Sequence, residues 1–337
     1  MRMKRTWCGV VCLCGSLAVG LSSDSTKKVK TAEPEVKASS EPAILWKDPG
    51  DIVSRDLFYG PGGEKHAPRG RLQFDKEDLD GTNAKFVVKD EDGAKWKVKL
   101  GIEAKPETVA TRIVWAVGFY ANEDYFLPEV KIEGMPAHLH RGQNLVGSEG
   151  SIHNVRLKRE DDKKLSTWKW RDNPFTGTRE FNGLRTLMAV INNWDLKDEN
   201  NAIYNKGGER VFAVSDIGAS FGCGGRCWPS DRTKGNPETY SDSKFLRHLS
   251  ADTVSFGTPA RPALLFALNP KEFISRLHME WIGENIPRAD AKWMGGLLAR
   301  LSSHQIRDAF RAAGYSQQDI DEFSSVLSGR IAKLSEL

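Results

Sequence analysis

Between Asn193 and Asn201 the chain reads Asn-Trp-Asp-Leu-Lys-Asp-Glu-Asn-Asn, so Asp195, Lys197 and Asn200 share one short segment. An apolar run, Val211 to Val214, then leads into Asp216-Ile217-Gly218. Each of these residue types suits one task in moving a phosphoryl group. Asp195 can take or orient the proton of an attacking hydroxyl. Lys197 can offset negative charge on the group in transfer. Asn200 and Asp216 can hold Mg²⁺ against the oxygens of a triphosphate. Taken alone, Asp-x-Lys-x-x-Asn equally fits a charged surface loop after a helix. Its weight comes from the elements around it.

Those elements fall into a β-rich stretch and a mostly helical one. Lys85–Lys89 and Lys95–Leu100, joined by Asp90-Glu91-Asp92-Gly93, predict a hairpin. Trp96, Val98 and Leu100 face one way and Lys97 and Lys99 the other. Pro106 opens a helix at its favoured first position, with Glu107 in the first turn and Gly118 at the stop. A short strand over 129–133 follows the Leu127-Pro128 break, and Val155–Lys158 forms another. The charged run at 159–164 marks the boundary between lobes. Thr178 caps a helix to about Asn192 that delivers the chain into Asp195. Ala202–Tyr204 and Val211–Val214 predict a second hairpin, whose ends bring Asn200 and Asp216 together. Residues 219–243 form a long loop. Beyond Lys244 the pattern is helical, with starts at Asn269-Pro270, at the capping box of Ser302 and at Ser316. The reading is an α+β chain of two lobes.

In this order (Lys strand, Glu helix, Asp-x-Lys-x-x-Asn, Asp-Ile-Gly) the sequence resembles the protein-kinase-like superfamily over about residues 78–222. The details look more like its atypical members, the HipA-type bacterial kinases, type II phosphatidylinositol kinases and secretory-pathway kinases, than ordinary eukaryotic protein kinases. No Gly-x-Gly-x-x-Gly precedes the first strand pair and no Ala-Pro-Glu follows Asp216. Asp80-Gly81-Thr82-Asn83-Ala84-Lys85 is similar to the phosphate-covering turn of HipA-type proteins. The resemblance implies a small β-rich N-lobe and a larger, mostly helical C-lobe, with ATP and Mg²⁺ as cofactors and an unidentified hydroxyl acceptor. It implies Asp195 and Lys197 as catalytic residues and Asn200 and Asp216 as metal ligands. Lys99 would contact the nucleotide phosphates, with Lys97 as the competing choice. Glu107 would hold that lysine, with Glu103 competing, and Gly81 and Thr82 would cover the phosphates. Asn193-Trp194 stands where ordinary protein kinases carry His-Arg. The implied activity is phosphoryl transfer; the alternative is a catalytically inactive binding or scaffold domain of the same fold. In a third reading the motif is a coincidence in an unrelated α+β protein.

The 337 residues, 39% hydrophobic and 28% charged, suit a globular body. The formal charge of +4 owes much to Arg2, Lys4 and Arg5, and the near-neutral remainder gives no electrostatic case for nucleic-acid binding. The basic start, the apolar run Trp7–Leu21 and the small residues Ala18-Val19-Gly20 predict a signal peptide over 1–20 and an exported, bacterial protein without a stable membrane span after cleavage. Residues 21–45 predict a disordered linker, 46–160 the N-lobe with a loop-rich opening segment, and 161–337 the C-lobe. Signal cleavage removes three of five cysteines. The remaining Cys223 and Cys227 could close a small disulfide or remain two thiols.

Overall fold

The structure is a computed structural model that describes residues 41–79, 84–223, 233–259 and 265–337. Gly81, Thr82, Cys227 and the expected signal peptide lie outside the described residues. The ordered body reaches back to β1 (Ala43–Ile44), inside the stretch expected as a linker, where it pairs in parallel with Arg210-Val211.

Five strands make a closed barrel. They are β2 (Leu72–Glu77), β3 (Lys85–Lys89), β4 (Lys95–Leu100), β5 (Asp124–Glu133) and β6 (Ser151–Arg159), in the spatial order β2-β3-β4-β6-β5. Alternation explains the barrel. Trp96, Val98 and Leu100 point inward with Phe86, Val88, Val155 and Leu157 and are buried there. Strand β5 is longer than the sequence predicts and runs through Pro128. Its ladder pairs Leu127 with Val155 and Glu129 with His153, passing over the one residue that has no N–H to give.

Between β4 and β5 lies α1 (Ala104–Ala116). It starts two residues before the predicted position, with Glu103 at the N-cap and Pro106 in the third helical place. Proline is tolerated there because first-turn N–H groups have no intrahelical acceptor. Val109, Ala110, Ile113 and Val114 join the larger core, so this helix packs the barrel onto the rest of the body.

That larger part is mainly helical but holds more strand than predicted. β7 (Lys163–Ser166) begins in the last two residues of the expected charged break and runs past it. α2 (Arg179–Val190) is capped by Thr178, whose hydroxyl accepts the Phe181 N–H. The hairpin of β8 (Asn201–Lys206) and β9 (Glu209–Val214) completes a sheet ordered β1-β9-β8-β7. α3 (Pro237–Asp242) lies within the stretch expected as loop. β10 (Leu246–Leu249), β11 (Thr253–Phe256) and β12 (Ile286–Pro287) form a small sheet in the stretch expected to be helical. The helices that follow are α4 (Leu265–Leu268), α5 (Pro270–Met279), α6 (Arg288–Leu298), α7 (Ser303–Ala312) and α8 (Gln317–Ser335). The capping box of Ser302 and Gln305 and the cap at Ser316 form as expected. The molecule therefore has the expected α+β, two-lobed plan. No helix among the described residues is long and apolar enough to cross a membrane.

Candidate functional site

Lys99 stands on the outer face of β4, beneath the start of α1. Its Nζ lies 2.5 Å from Glu103 Oε2, 3.0 Å from Glu107 Oε2 and 3.0 Å from Asp216 Oδ1. Lys97 shares that face but pairs elsewhere, with Asp78 at 3.1 Å and Glu160 at 3.2 Å. Strand alternation treats the two lysines alike. Only Lys99 lies under the α1 carboxylates, and the structure thereby separates them. It does not choose between Glu103 and Glu107, because both bind Lys99.

Burial makes this cluster strong. The Lys99 side chain is 5% exposed and that of Glu107 1%. Burial alone would lower the Lys99 pKa, but Glu107, Asp216 and Glu103 hold its ammonium well above the ordinary lysine value. Burial pushes Glu107 up to about 7, against the pull of Arg156 and Lys99. For Asp216, burial acts upward but Lys99 outweighs it and holds the carboxyl below the usual range. The carboxyl oxygens of Glu103, Glu107 and Asp216 come within 4.8 Å of one another, with the Lys99 ammonium among them. A lysine is needed there, since three acids so close cannot all stay ionised without a cation.

A second layer lies behind Glu107. Arg156 is directly opposite Lys99 in the β4–β6 register, so both side chains leave the same face. Arg156 Nη2 is 3.3 Å from Glu107 Oε1, and its Nη1 donates to Asp124 Oδ1 at 2.9 Å. All three are buried. Lys99, Glu107, Arg156 and Asp124 thus form a line of alternating charge running into the protein. The sequence reading passed over Arg156. Its signal was one cation inside the apolar run Val155-Arg156-Leu157, directly opposite Lys99 once the register is known.

The Asp195 segment is tied to Asp216 through the backbone. The N–H groups of Ser215 and Asp216 both donate to Asn200 O, at 2.8 and 3.0 Å. Asn200 Nδ2 donates to Asp195 O at 2.6 Å, and Lys197 Nζ is 2.7 Å from Asp195 Oδ1. The hairpin of β8 and β9 sets this up by bringing its two ends together. Upstream, the Trp194 N–H donates to Ala219 O and the Phe221 N–H to Ile191 O, so the two segments run side by side. A continuous series of contacts joins Lys99, Asp216, Asn200, Asp195 and Lys197.

Trp194 is buried, with Lys234 Nζ 5.5 Å and the Arg276 guanidinium carbon 5.2 Å from its ring. Lys234 also pairs with Glu103, which links the segment after Asp216 to the start of α1. Cys223 is buried.

The donor set suits a hydrated Mg²⁺. Asp216 keeps 44% of its side chain exposed, whereas the other members of the cluster are at 10% or below. Asn200, joined to Asp216 through its backbone oxygen, has its NH₂ committed to Asp195 O and so keeps its amide oxygen as the atom that could serve a cation. One carboxylate and one amide oxygen, with water and phosphate completing the shell, match the preferences of the ion.

No family model matches the sequence, and no curated protein matches it. Solved structures similar to it include the Helicobacter pylori proinflammatory kinase CtkA, at 10% identity and TM-score 0.44, with 79% of this chain and 96% of that one covered. The Golgi casein kinase is similar at 8% identity and TM-score 0.35, covering 80% and 72% of the two chains. The Golgi casein kinase with Mn/ADP bound is similar at 10% identity and TM-score 0.32, covering 78% and 73%.

Proposed function

We propose that this chain is an exported, atypical kinase-like enzyme that transfers the γ-phosphoryl group of ATP to a hydroxyl acceptor. The observation that carries the reading is Lys99 Nζ at 3.0 Å from both Glu107 and Asp216, beside the series through Asn200 to Asp195. Lys99, fixed by Glu107 and Glu103, is the cation that meets the phosphates. Asp216 and Asn200 are the residues that would hold Mg²⁺, which neutralises phosphate charge when bound. Asp195 accepts the proton of the acceptor hydroxyl. Lys197 stands beside it as the positive group for the transferring phosphoryl. Gly81 and Thr82 keep the role of phosphate cover in this reading.

One observation favours a second reading, a kinase-like binding domain without transfer. The cleft on the Lys97 side of β4 is small, about 260 Å³, and its lining of Lys97, Lys158, Glu160 and Asp162 with Tyr120 and Tyr204 does not include Lys99, Asp195, Asn200 or Asp216. Pockets for heterocycles are mostly apolar. A single experiment separates the two. Purified protein is incubated with γ-labelled ATP and Mg²⁺, and release or transfer of label is followed for the wild type and Asp195→Ala. The enzyme reading expects turnover that falls by at least about 100-fold in the variant while nucleotide binding persists. Binding without turnover in the wild type leaves the second reading.

A further inference from the structure

A recess of about 540 Å³ opens between the pair β1 and β9 and the C-terminal end of α1. It shares no lining residue with the Lys99 cluster or the Asp195 segment. Four aromatic side chains line it, Trp46, Trp115, Phe119 and Tyr120, beside Ile44 and Val211. Trp46, Trp115 and Tyr120 are only half-buried, so ring surface borders the recess. The backbone fixes these rings. Trp46 and Phe119 pair as an antiparallel bridge, the Lys47 N–H donates to Gly118 O at 3.0 Å, and Trp46 Nε1 donates to Val117 O at 2.7 Å. Gly118 permits this approach: its φ is +96°, and a Cβ there would come 2.2 Å from Lys47 O. A site held open in advance costs little ordering when a ligand enters.

Three cations also line the recess, and two of them are already paired. Lys47 is 2.5 Å from Glu209, and Lys206 is 3.3 Å from Asp162. Arg55 is the third. It is half-buried, and its guanidinium carbon lies 4.6 Å from the centre of the Trp115 ring. Its bonds go to backbone carbonyls, Nη1 to Trp115 O and Nη2 to Pro49 O at 3.0 Å. No carboxylate pairs with it among the described residues, and burial alone acts on its pKa, downward. Asp48, the remaining acid of the lining, is exposed, and its Oδ1 accepts the Gly50 N–H at 2.9 Å. A guanidinium carries five N–H groups, so Arg55 keeps donors beyond its two carbonyl bonds.

Aromatic walls and one uncompensated guanidinium select a ligand with a flat apolar body and a single negative charge. We propose that this recess binds a small planar aromatic carboxylate, its ring among Trp46, Trp115 and Tyr120 and its carboxylate on Arg55. The volume lies within the range of about 300–1,000 Å³ usual for small-ligand sites and takes a molecule of one or two rings. The ring covers aromatic surface that water now touches, and the carboxylate takes the N–H groups that the carbonyls leave. A neutral ring of the same shape gains the first of these and not the second. The site stands apart from the phosphoryl-transfer reading, because it uses none of the residues on which that reading depends.

Isothermal titration calorimetry of the full chain tests this with three probes of similar size: naphthoate, its neutral amide, and the saturated, non-planar decalin carboxylate. Naphthoate is expected to bind at least about tenfold more tightly than the amide, the worth of a hydrogen bond to a charged group. It should also bind about threefold or more tightly than the decalin acid, the worth of ring contact beyond area. Arg55→Met keeps an apolar stem on Trp115 and should abolish the preference for acid over amide while the amide binds as before. Ile44→Trp fills the recess and should remove binding of all three probes. Melting curves establish that both variants are folded, and the comparison of the three probes on the wild type decides the matter even where a variant is not. Equal affinity of the wild type for naphthoate and its amide overturns the proposal, as does binding of none of the probes. A preference for the acid that survives Arg55→Met, or binding that survives Ile44→Trp, overturns it too. Displacement of naphthoate by Mg·ATP would put the probe in the Lys99 cleft and overturns the assignment to this recess.

Discussion

Replacing Arg156 by methionine removes the cation that separates two buried acids. In the intact chain Arg156 bridges Glu107 Oε1 at 3.3 Å and Asp124 Oδ1 at 2.9 Å, and the side chains of these acids are 1% and 0% exposed. Methionine fills most of the volume, so the loss is electrostatic rather than one of packing. Taking one partner from a buried ion pair costs about 3–5 kcal/mol, because the charge left behind has neither water nor counter-ion. In a domain of this size that is a fall of roughly 5–8 °C in Tm. Glu107 retains Lys99, whereas Asp124 loses its guanidinium partner. Neutralising the stranded acid in the double variant Arg156→Met/Asp124→Asn should therefore restore about 1–3 kcal/mol. Urea denaturation of the wild type, both single variants and the double variant completes the cycle. A loss below about 1 kcal/mol for Arg156→Met, or no recovery in the double variant, would refute the view that alternating charge behind Lys99 holds α1 to the barrel.

Three further expectations follow from the same contacts. The folded chain holds the Glu107 proton more tightly than the unfolded chain does, since burial lifts its pKa to about 7. Its contribution to stability is therefore full below the ordinary glutamate value and is lost as pH rises through about 7; melting curves of Glu107→Gln should lack that part of the pH dependence. A Cβ on Gly218 would come 2.9 Å from Glu103 Cβ and 3.2 Å from its Cγ. Gly218→Ala should push Glu103 away from Lys99 and Lys234, lowering stability by about 1–3 kcal/mol in urea denaturation. Thr178→Ala removes the hydroxyl that accepts the Phe181 N–H at the start of α2, and a loss of about 1 kcal/mol by the same method is expected.

The sequence made some of this arrangement legible and hid the rest for physical reasons. Asn200 and Asp216 could be placed together because a hairpin is local and its strands are strongly apolar. The barrel hairpin was readable from the alternation of Lys95 to Leu100. Lys97 and Lys99 could not be separated that way, because what distinguishes them is the helix lying over one of them. Pro106 pointed to a helix start two residues late, since its fixed φ suits any place in the first turn. β10 was missed because Leu246-Arg247-His248-Leu249 is short and does not alternate, and β11 because Thr253-Val254-Ser255-Phe256 alternates over only four residues. Arg156 was missed because an arginine in a strand reads as surface until the partner strand and α1 cover it. A groove beside Lys197 was beyond the sequence for the same reason: Lys169, Arg171 and His278 meet only in the folded chain.

The most direct test of the central claim is the affinity for Mg·ATP by isothermal titration calorimetry, in wild type, Lys99→Met and Asp216→Asn. The account predicts binding by the wild type that requires Mg²⁺ and weakens at least about tenfold in each variant, a loss of about 1.4 kcal/mol or more. Absence of magnesium-dependent binding in the folded wild-type protein, or equal affinity in all three proteins, would contradict it.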